Sequence, residues 1–373
     1  MARIRPALAW AGAVLVLAGC SGAPAAQPAL PASPVPSSPA APAASFTVVA
    51  TGDVLIHPPL TDQAMADGGG TIDYRQILAG VKPLVSGADL AICHLETPLA
   101  PEAGPYTGYP SFSAPPVIAD ALKDTGYDTC STASNHTLDK GAAGITRTLD
   151  KLDAVGLKHT GSARSAAEAA KPLILDVHGV RVAQLSYAFG FNGIERPAGK
   201  PWLANEIDAD SILAAAHAAR EAGAQVVIAS LHWGTEYHHE VTASQESLAR
   251  KLLASPDLDL IIGHHAHVVQ PFEKVENKWV AYGLGNEIAR HDDPRGSTEE
   301  GVAARFTFSR SGAHWTVSRA EYLPTLIDLG PPIRLRDLTT ATPTPRGTEA
   351  LSNTDEVVLS RGAADNGLTR PGK

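Results

Sequence analysis

Nine residues of metal-ligand or acid–base type stand at the ends of apolar runs in this chain: Asp53 and His57 in VVATGDVLIH, Glu96 in LAICHLE, Asn135 and His136 in DTCSTASNH, His232 in VVIASLH, and His264, His265 and His267 in LIIGHHAHVVQP. Carboxylates, an amide oxygen and imidazoles are hard-to-borderline donors suited to Mn, Fe, Zn or Mg, and no cysteine stands where it could join them. A pair of divalent cations about 3.5–4 Å apart can lower the pKa of a bridging water and clamp an anionic oxygen. In an extended segment His265 and His267 share one side and His264 takes the other, so the first two are expected as ligands and His264 as a supporting residue. Each residue alone has an ordinary use: an aspartate after a strand caps a turn, SNHT makes an Asx turn, and His232 with Trp233 makes a packed pair. Their coincidence at the ends of several strands is what points to a metal site.

The elements between these residues follow a rule. QILAGVKPLVSGADLAICHLE reads as helix, turn and buried strand, delivering His94 and Glu96, and APPVIADALKDTGYDTCSTASNH repeats the pattern to deliver Asn135 and His136. GITRTLDKLDAVGLKHTG is an amphipathic helix leading to a strand, and PLILDVHGVRVAQLSYAF has the alternation and central glycine of a β-hairpin. Two further helix–strand units end in His232 and in the histidine cluster, and antiparallel strands follow to about residue 325. Mixed βα units and hairpins predict a layered α/β architecture rather than a purely parallel sheet, with a site where several strands end on one side.

The termini read differently. Arg3 and Arg5 precede ALAWAGAVLVLAGC, an apolar run shorter than the ~20 residues a membrane span needs, which ends in Leu17-Ala18-Gly19-Cys20. That ending resembles a bacterial lipobox, so residues 1–20 are expected as a lipoprotein signal peptide, with Cys20 as the lipidated residue. Residues 21–44 are Ala, Pro and Ser with little else, a disordered tether. A folded domain is expected over 45–330, and an extended to disordered tail over 331–373. In an exported protein Cys93 and Cys130 could pair, but their apolar, strand-like contexts favour two buried thiols. The formal net charge of −9 argues against general nucleic-acid binding. An anionic substrate then needs local positive charge, which bound cations can supply.

ATGDVLIH, HLETPL, STASNHTLDKG, LHWGTEY, GHHAHVVQP and YGLGN resemble, in the same order, the blocks of CapA-type proteins of poly-γ-glutamate capsule biosynthesis. Those proteins are similar to calcineurin-like metallophosphoesterases, and the resemblance implies a four-layer α/β/β/α sandwich with two divalent metal ions. It implies Asp53 and His267 on one metal, Glu96 as the bridging carboxylate, Asn135, His232 and His265 on the second metal, and His136 as the catalytic residue that protonates a leaving group or holds the transition-state anion. The pattern departs twice: the histidine after the first aspartate is His57, four residues on, and the bridging position is a glutamate. Tyr187, Asn192, Trp233, Glu236 and Arg290 are expected to bind substrate, with Arg196 and His291 at the rim.

Three functions follow from this reading. The first is a lipid-anchored, extracytoplasmic metallohydrolase acting on a polyamide or related anionic envelope polymer, working beside membrane capsule-synthesis proteins. The second is a phosphoesterase acting on extracellular phosphodiesters or nucleotides. The third is a non-catalytic accessory that binds the polymer and aids its export or assembly.

Overall fold

A computed structural model describes residues 44–291, 295–312 and 314–372. The signal peptide, Cys20 and all but the last residue of the expected tether lie outside the described residues. In chain order the elements are β1 (Ser45–Val54), α1 (Pro58–Asp67), α2 (Arg75–Leu78), α3 (Lys82–Ser86), β2 (Leu90–Leu95), α4 (Ile118–Thr125), β3 (Thr129–Ser131), α5 (Gly141–Val155), β4 (Lys158–Thr160), α6 (Ala166–Ala169), β5 (Leu173–Val177) and β6 (Val180–Ala188). There follow α7 (Ala209–Glu221), β7 (Val226–His232), α8 (Ala243–Leu253), β8 (Leu260–His264), β9 (Phe272–Val275), β10 (Lys278–Ala281), β11 (Asn286–Ile288), β12 (Glu300–Ser311), β13 (His314–Asp328), β14 (Arg334–Asp337), α9 (Pro345–Leu359) and β15 (Leu368–Thr369).

Two sheets result. The first runs β14-β13-β12-β1-β2-β3-β4, with β11 beside β1 and β15 beside β13; the second runs β5-β6-β7-β8-β10-β9. Side-chain alternation sorts the apolar residues into three layers. Phe46, Val48 and Ala50 of β1 pack with Val226 and Ile228 of β7 and with Leu260 and Ile262 of β8 between the sheets. Val49 and Val54 turn instead to Ile118, Leu122, Ile145 and Leu149 of α4 and α5. Val227, Ala229 and Leu231 turn to Ile212 and Ala216 of α7 and Leu252 of α8. Helix, sheet, sheet, helix is therefore the order of layers, the four-layer α/β/β/α sandwich.

The strands that carry the site are parallel within each sheet: β1 with β2 and β2 with β3 in one, β6 with β7 and β7 with β8 in the other. Parallel strands need crossover helices, which is why α4, α5, α7 and α8 cover the outer faces. The hairpin predicted over PLILDVHGVRVAQLSYAF is β5 and β6, turned by His178 and Gly179 at φ 52° and 84°.

Two expectations are corrected. The region after residue 330 is ordered: β14 and β15 extend the first sheet, and α9 buries Ala350 against Leu326 and Leu338, and Val358 against the inter-sheet core. The helix start was readable, because the Thr344 hydroxyl accepts a bond from Gly347 N at 3.0 Å and Pro345 follows it. The two cysteines are not separate thiols: they face each other on adjacent strands, Cα atoms 4.5 Å apart, joined as a disulfide. Among the described residues no helix is long and apolar enough to cross a membrane.

Candidate metal centre

The C-terminal ends of β1, β2, β7 and β8 converge, and glycines let them approach. Asp53 N donates to Gly285 O at 2.9 Å, and a Cβ on Gly52 would lie 2.2 Å from that same oxygen. A Cβ on Gly263 would lie 1.8 Å from Tyr282 O. The Gly-Asp and Gly-His pairs at the ends of β1 and β8 are thus backbone contacts first and carriers of chemistry second.

Asp53 is fully buried. Its Oδ1 lies 3.2 Å from His264 Nδ1, its Oδ2 lies 3.2 Å from His267 Nδ1, and Oδ2 accepts from His265 N at 3.0 Å. Burial pushes its pKa up, but the bonds from His264 and His267 and the nearby imidazoles hold it well below the usual carboxylate range. Glu96, also buried, is the opposite case. Among the described residues neither of its oxygens has a hydrogen-bond partner; Oε1 stands 3.7 Å from His267 Nε2 and 4.0 Å from His232 Nε2. Burial raises its pKa well above the ordinary value. A buried carboxylate without donors is costly, and its two free oxygens between imidazole nitrogens are what a cation requires.

The imidazoles fit that reading. Burial holds His232 well below its usual pKa, and burial with His267 nearby lowers His265 to about 3. Neutral imidazole is the ligating form. Only His267 goes the other way: burial lowers it, but Glu96 and Asp53 outweigh burial and raise it to about 10.

Asp53, Glu96 and His267 can present one ligand atom each within 4.8 Å of one another. His232 Nε2 lies 2.9 Å from Asn135 Oδ1, and the His232 and His265 ring centroids are 4.6 Å apart, so Asn135, His232 and His265 gather beside the first group. Glu236 also reaches within 4.8 Å of His265 and His267, which places it among ligand-type atoms rather than with a remote part of a substrate. His57 is not a member of these groups: its Nδ1 accepts from Arg290 N at 3.2 Å and its ring packs 5.4 Å from Phe112. The fourth residue past Asp53 follows the end of the strand, so it lines the cleft instead.

His265 and His267 have φ of 90° and 56°. They therefore sit in a turn after β8, not in an extended segment, and the alternation expected of them does not apply. His264, the last strand residue, instead meets Asp53 directly.

His136 Nδ1 lies 2.8 Å from Asp139 Oδ2, which also accepts from Phe112 N at 2.7 Å. With Nδ1–H given to Asp139, Nε2 is the ring nitrogen left for a reacting group. Asn192 Oδ1 accepts from Asn135 Nδ2 at 3.2 Å, bringing Asn192 to the site. Beside the histidines lies a cleft of about 200 Å³ lined by His57, His136, Glu236, Tyr237, His267, His291 and Arg295 among others.

Three of the expected substrate-binding residues are elsewhere. Tyr187 and Trp233 belong to the core beneath α7 and α8, and Trp233 Nε1 donates to Tyr282 O at 2.9 Å. Alternation puts them on the outer face of the second sheet. Arg290 turns its guanidinium to the His291 carbonyl; Arg295, 4.1 Å above the Tyr237 ring, lines the cleft in its place. Of the rim residues, Arg196 pairs with Glu206 at 2.6 Å, whereas His291 lies in the cleft, 4.8 Å from His57. Sequence reading gave no role to Asp139, Asn286 or His94. Asn286 Oδ1 meets His267 Nδ1 at 2.9 Å; it is the asparagine of YGLGN. Asp139 stands three residues after His136, a spacing that brings the two together in a turn.

Comparison with known proteins supports the family. Capsule biosynthesis protein CapA of Bacillus anthracis is 29% identical over 179 residues, 47% of this chain and 43% of that protein. PGA biosynthesis protein CapA of Bacillus subtilis is 30% identical over 174 residues, 45% and 44% of the two chains. The match thus spans less than half the length of these two relatives. Among solved structures, a novel phosphatase from Mycoplasma pneumoniae overlaps 82% of this chain and 96% of its own at 12% identity with a TM-score of 0.49. At that level of overlap the architecture is read from this chain's own packing. The family model for the bacterial capsule synthesis protein PGA_cap matches residues 47–291, more than half of the chain, and the chain belongs to that family.

Proposed function

We propose that this protein is an exported, lipid-tethered metallohydrolase acting on an amide bond of poly-γ-glutamate or a related anionic envelope polymer. The observation that carries the reading is Glu96, a buried carboxylate whose oxygens have no hydrogen-bond partner among the described residues and face imidazole nitrogens. Asp53, Glu96 and His267 would hold one divalent cation, and Glu96, Asn135, His232 and His265 the second. Bound there, the cations supply an activated water and polarise the bond to be cleaved.

The chain's own residues do the rest. Asp139 fixes the tautomer and orientation of His136, whose bare Nε2 can take a proton released by the attacking water and then pass it to the departing amine. Arg295, stacked on Tyr237, offers a cation to an acidic polymer in a chain of net charge −9. Export is supported by the signal-like residues 1–20 and by the Cys93–Cys130 disulfide, since such bonds persist in oxidising compartments. The polymer comes from the family and from the relatives' names.

The test is direct. Full-length protein is analysed for bound transition metal, then incubated with poly-γ-glutamate and separately with a generic phosphodiester. About two ions per chain and shortening of the polyamide, lost in His136→Ala, are expected. Turnover of the phosphodiester alone would make the protein a phosphoesterase, and bound metal with no turnover of either would leave a polymer-binding accessory.

A further inference from the structure

His94 lies on β2 and faces the inter-sheet space two residues before Glu96. Its Nε2 lies 3.0 Å from His232 Nδ1, and its Nδ1 lies 2.8 Å from Ser131 Oγ. Ser131 Oγ in turn lies 3.3 Å from Cys93 O. All of these groups are buried. His94 and Ser131 are register partners on β2 and β3, one rung beyond the Cys93–Cys130 disulfide, so the strand pairing that places the cysteines also places this contact.

The Ser131 end of the chain favours one direction. A backbone carbonyl only accepts, so Ser131 O–H donates to Cys93 O and the Ser131 oxygen accepts from His94 Nδ1–H. A neutral imidazole carries one N–H. His94 Nε2 is then bare and accepts from His232 Nδ1–H. The Asn135 oxygen, 2.9 Å from His232 Nε2, also only accepts, so without a cation the chain can run the other way with Nε2–H given to Asn135; a cation held by Asn135 Oδ1 and His232 Nε2 would remove that option and require the proton on Nδ1. His94, with Asp53 and His264, could also present ligand atoms within 4.8 Å. Both of its ring nitrogens are already engaged, however, and that argues against a ligand role.

We propose, resting on the metal-centre reading above, that His94 is the positioning residue that holds the His232 proton on Nδ1 and so presents Nε2 to the cation, with Ser131 anchoring His94. A hydrogen-bond partner behind a metal-ligating histidine fixes its tautomer and ring orientation, and losing it weakens metal binding about 10–100-fold.

The experiment compares wild-type full-length protein with His94→Leu, His94→Gln and Ser131→Ala, using Co²⁺ and Zn²⁺ as probes and a chelator in competition. Expected is a 10–100-fold weaker affinity for His94→Leu, a smaller loss for Ser131→Ala, and recovery in His94→Gln, whose amide oxygen can accept the His232 proton. The Co²⁺ absorption spectrum should change in His94→Leu and return towards wild type in His94→Gln, which a purely space-filling role for residue 94 would not produce. Circular dichroism checks folding, and should His94→Leu fail to fold, Ser131→Ala with His94→Gln decides. Affinity and spectrum unchanged in His94→Leu or, where that variant does not fold, in Ser131→Ala would overturn the positioning role while leaving the metal centre standing. A wild-type protein that takes up neither metal would overturn the metal centre and this role together.

Discussion

Glu96 and Glu287 are both fully buried glutamates attached to strands of the same sheet, yet their surroundings have nothing in common. Glu287 Oε1 accepts from the Tyr127 hydroxyl at 2.9 Å, and that hydroxyl also meets Thr51 Oγ1 at 2.8 Å. Burial raises Glu287 to about 7, against the opposing effect of the tyrosine bond. Glu96 has no donor at all, and the groups around it are imidazole nitrogens. One acid is completed by the protein and can take up a proton in place. The other is left incomplete at a spot where ligand-type atoms from both sheets meet. Burial alone therefore does not mark a functional carboxylate; the absence of a protein partner does.

The sharpest way to break the contrast is Glu96→Gln. Bound metal should fall to one ion per chain or none, and activity by on the order of 10³-fold or more, the scale of losing one member of a catalytic unit. Measured in chelator, the same variant should melt at or above the wild-type temperature, because an unpartnered buried acid has been made neutral. A variant that keeps two ions would show that Glu96 is not a ligand. Next in size, Asp139→Asn should lower kcat about 10²-fold or more while metal content stays unchanged, since His136 loses the group that sets its tautomer. Metal loss in that variant would count against the separation of the two roles.

Stripping metal from the wild type should lower Tm by roughly 5 °C or more, since a ligand at 100 times its Kd adds about 2.7 kcal/mol to the folded state. The melting curve with and without chelator reads this directly, and no difference would remove the cation from the account.

An effect of similar size, visible only as the pH changes, belongs to Glu287. Its folded pKa of about 7 lies above the ordinary glutamate value of 4.5, so the folded state binds more protons than the unfolded one between those values. Its contribution is fully present below about pH 4.5 and is lost as pH rises through 7. Glu287→Gln should match wild type in acid and gain on it progressively towards neutral pH, by about 3 kcal/mol at most. Urea unfolding at several pH values checks this, and a difference independent of pH would refute it.

Much of the fold was legible because burial writes itself into composition. VVIASLH and LIIGH are continuous apolar runs because their strands are covered on both faces. The metal-type residues stood out because they end such runs. What stayed hidden depended on contacts between distant segments. His94 looks like one more residue of LAICHLE until β3 brings Ser131 and β7 brings His232 beside it, although its two-residue spacing from Glu96 already put both on one face. The cysteine contexts are equally apolar whether or not the strands are neighbours. The positive φ of His265 and His267 changes the side each one faces, and no residue type announces it. The Pro- and Thr-rich stretch before α9 reads as tail by composition, yet it carries a helix start at Thr344 and Pro345.

Asp53 and His265 share a hydrogen bond across 212 residues of sequence, and the other donors are similarly scattered between the two sheets. No contiguous piece of the chain, and neither sheet by itself, holds the full set of ligands. Contacts of such separation form late, because a long loop must close before they are rewarded. A chain that crossed a membrane as an unfolded thread would arrive with its ligands dispersed and no place to carry a cation. It would acquire its metals where it completes folding, so the ions available outside the cell, rather than those inside, would determine what occupies the site.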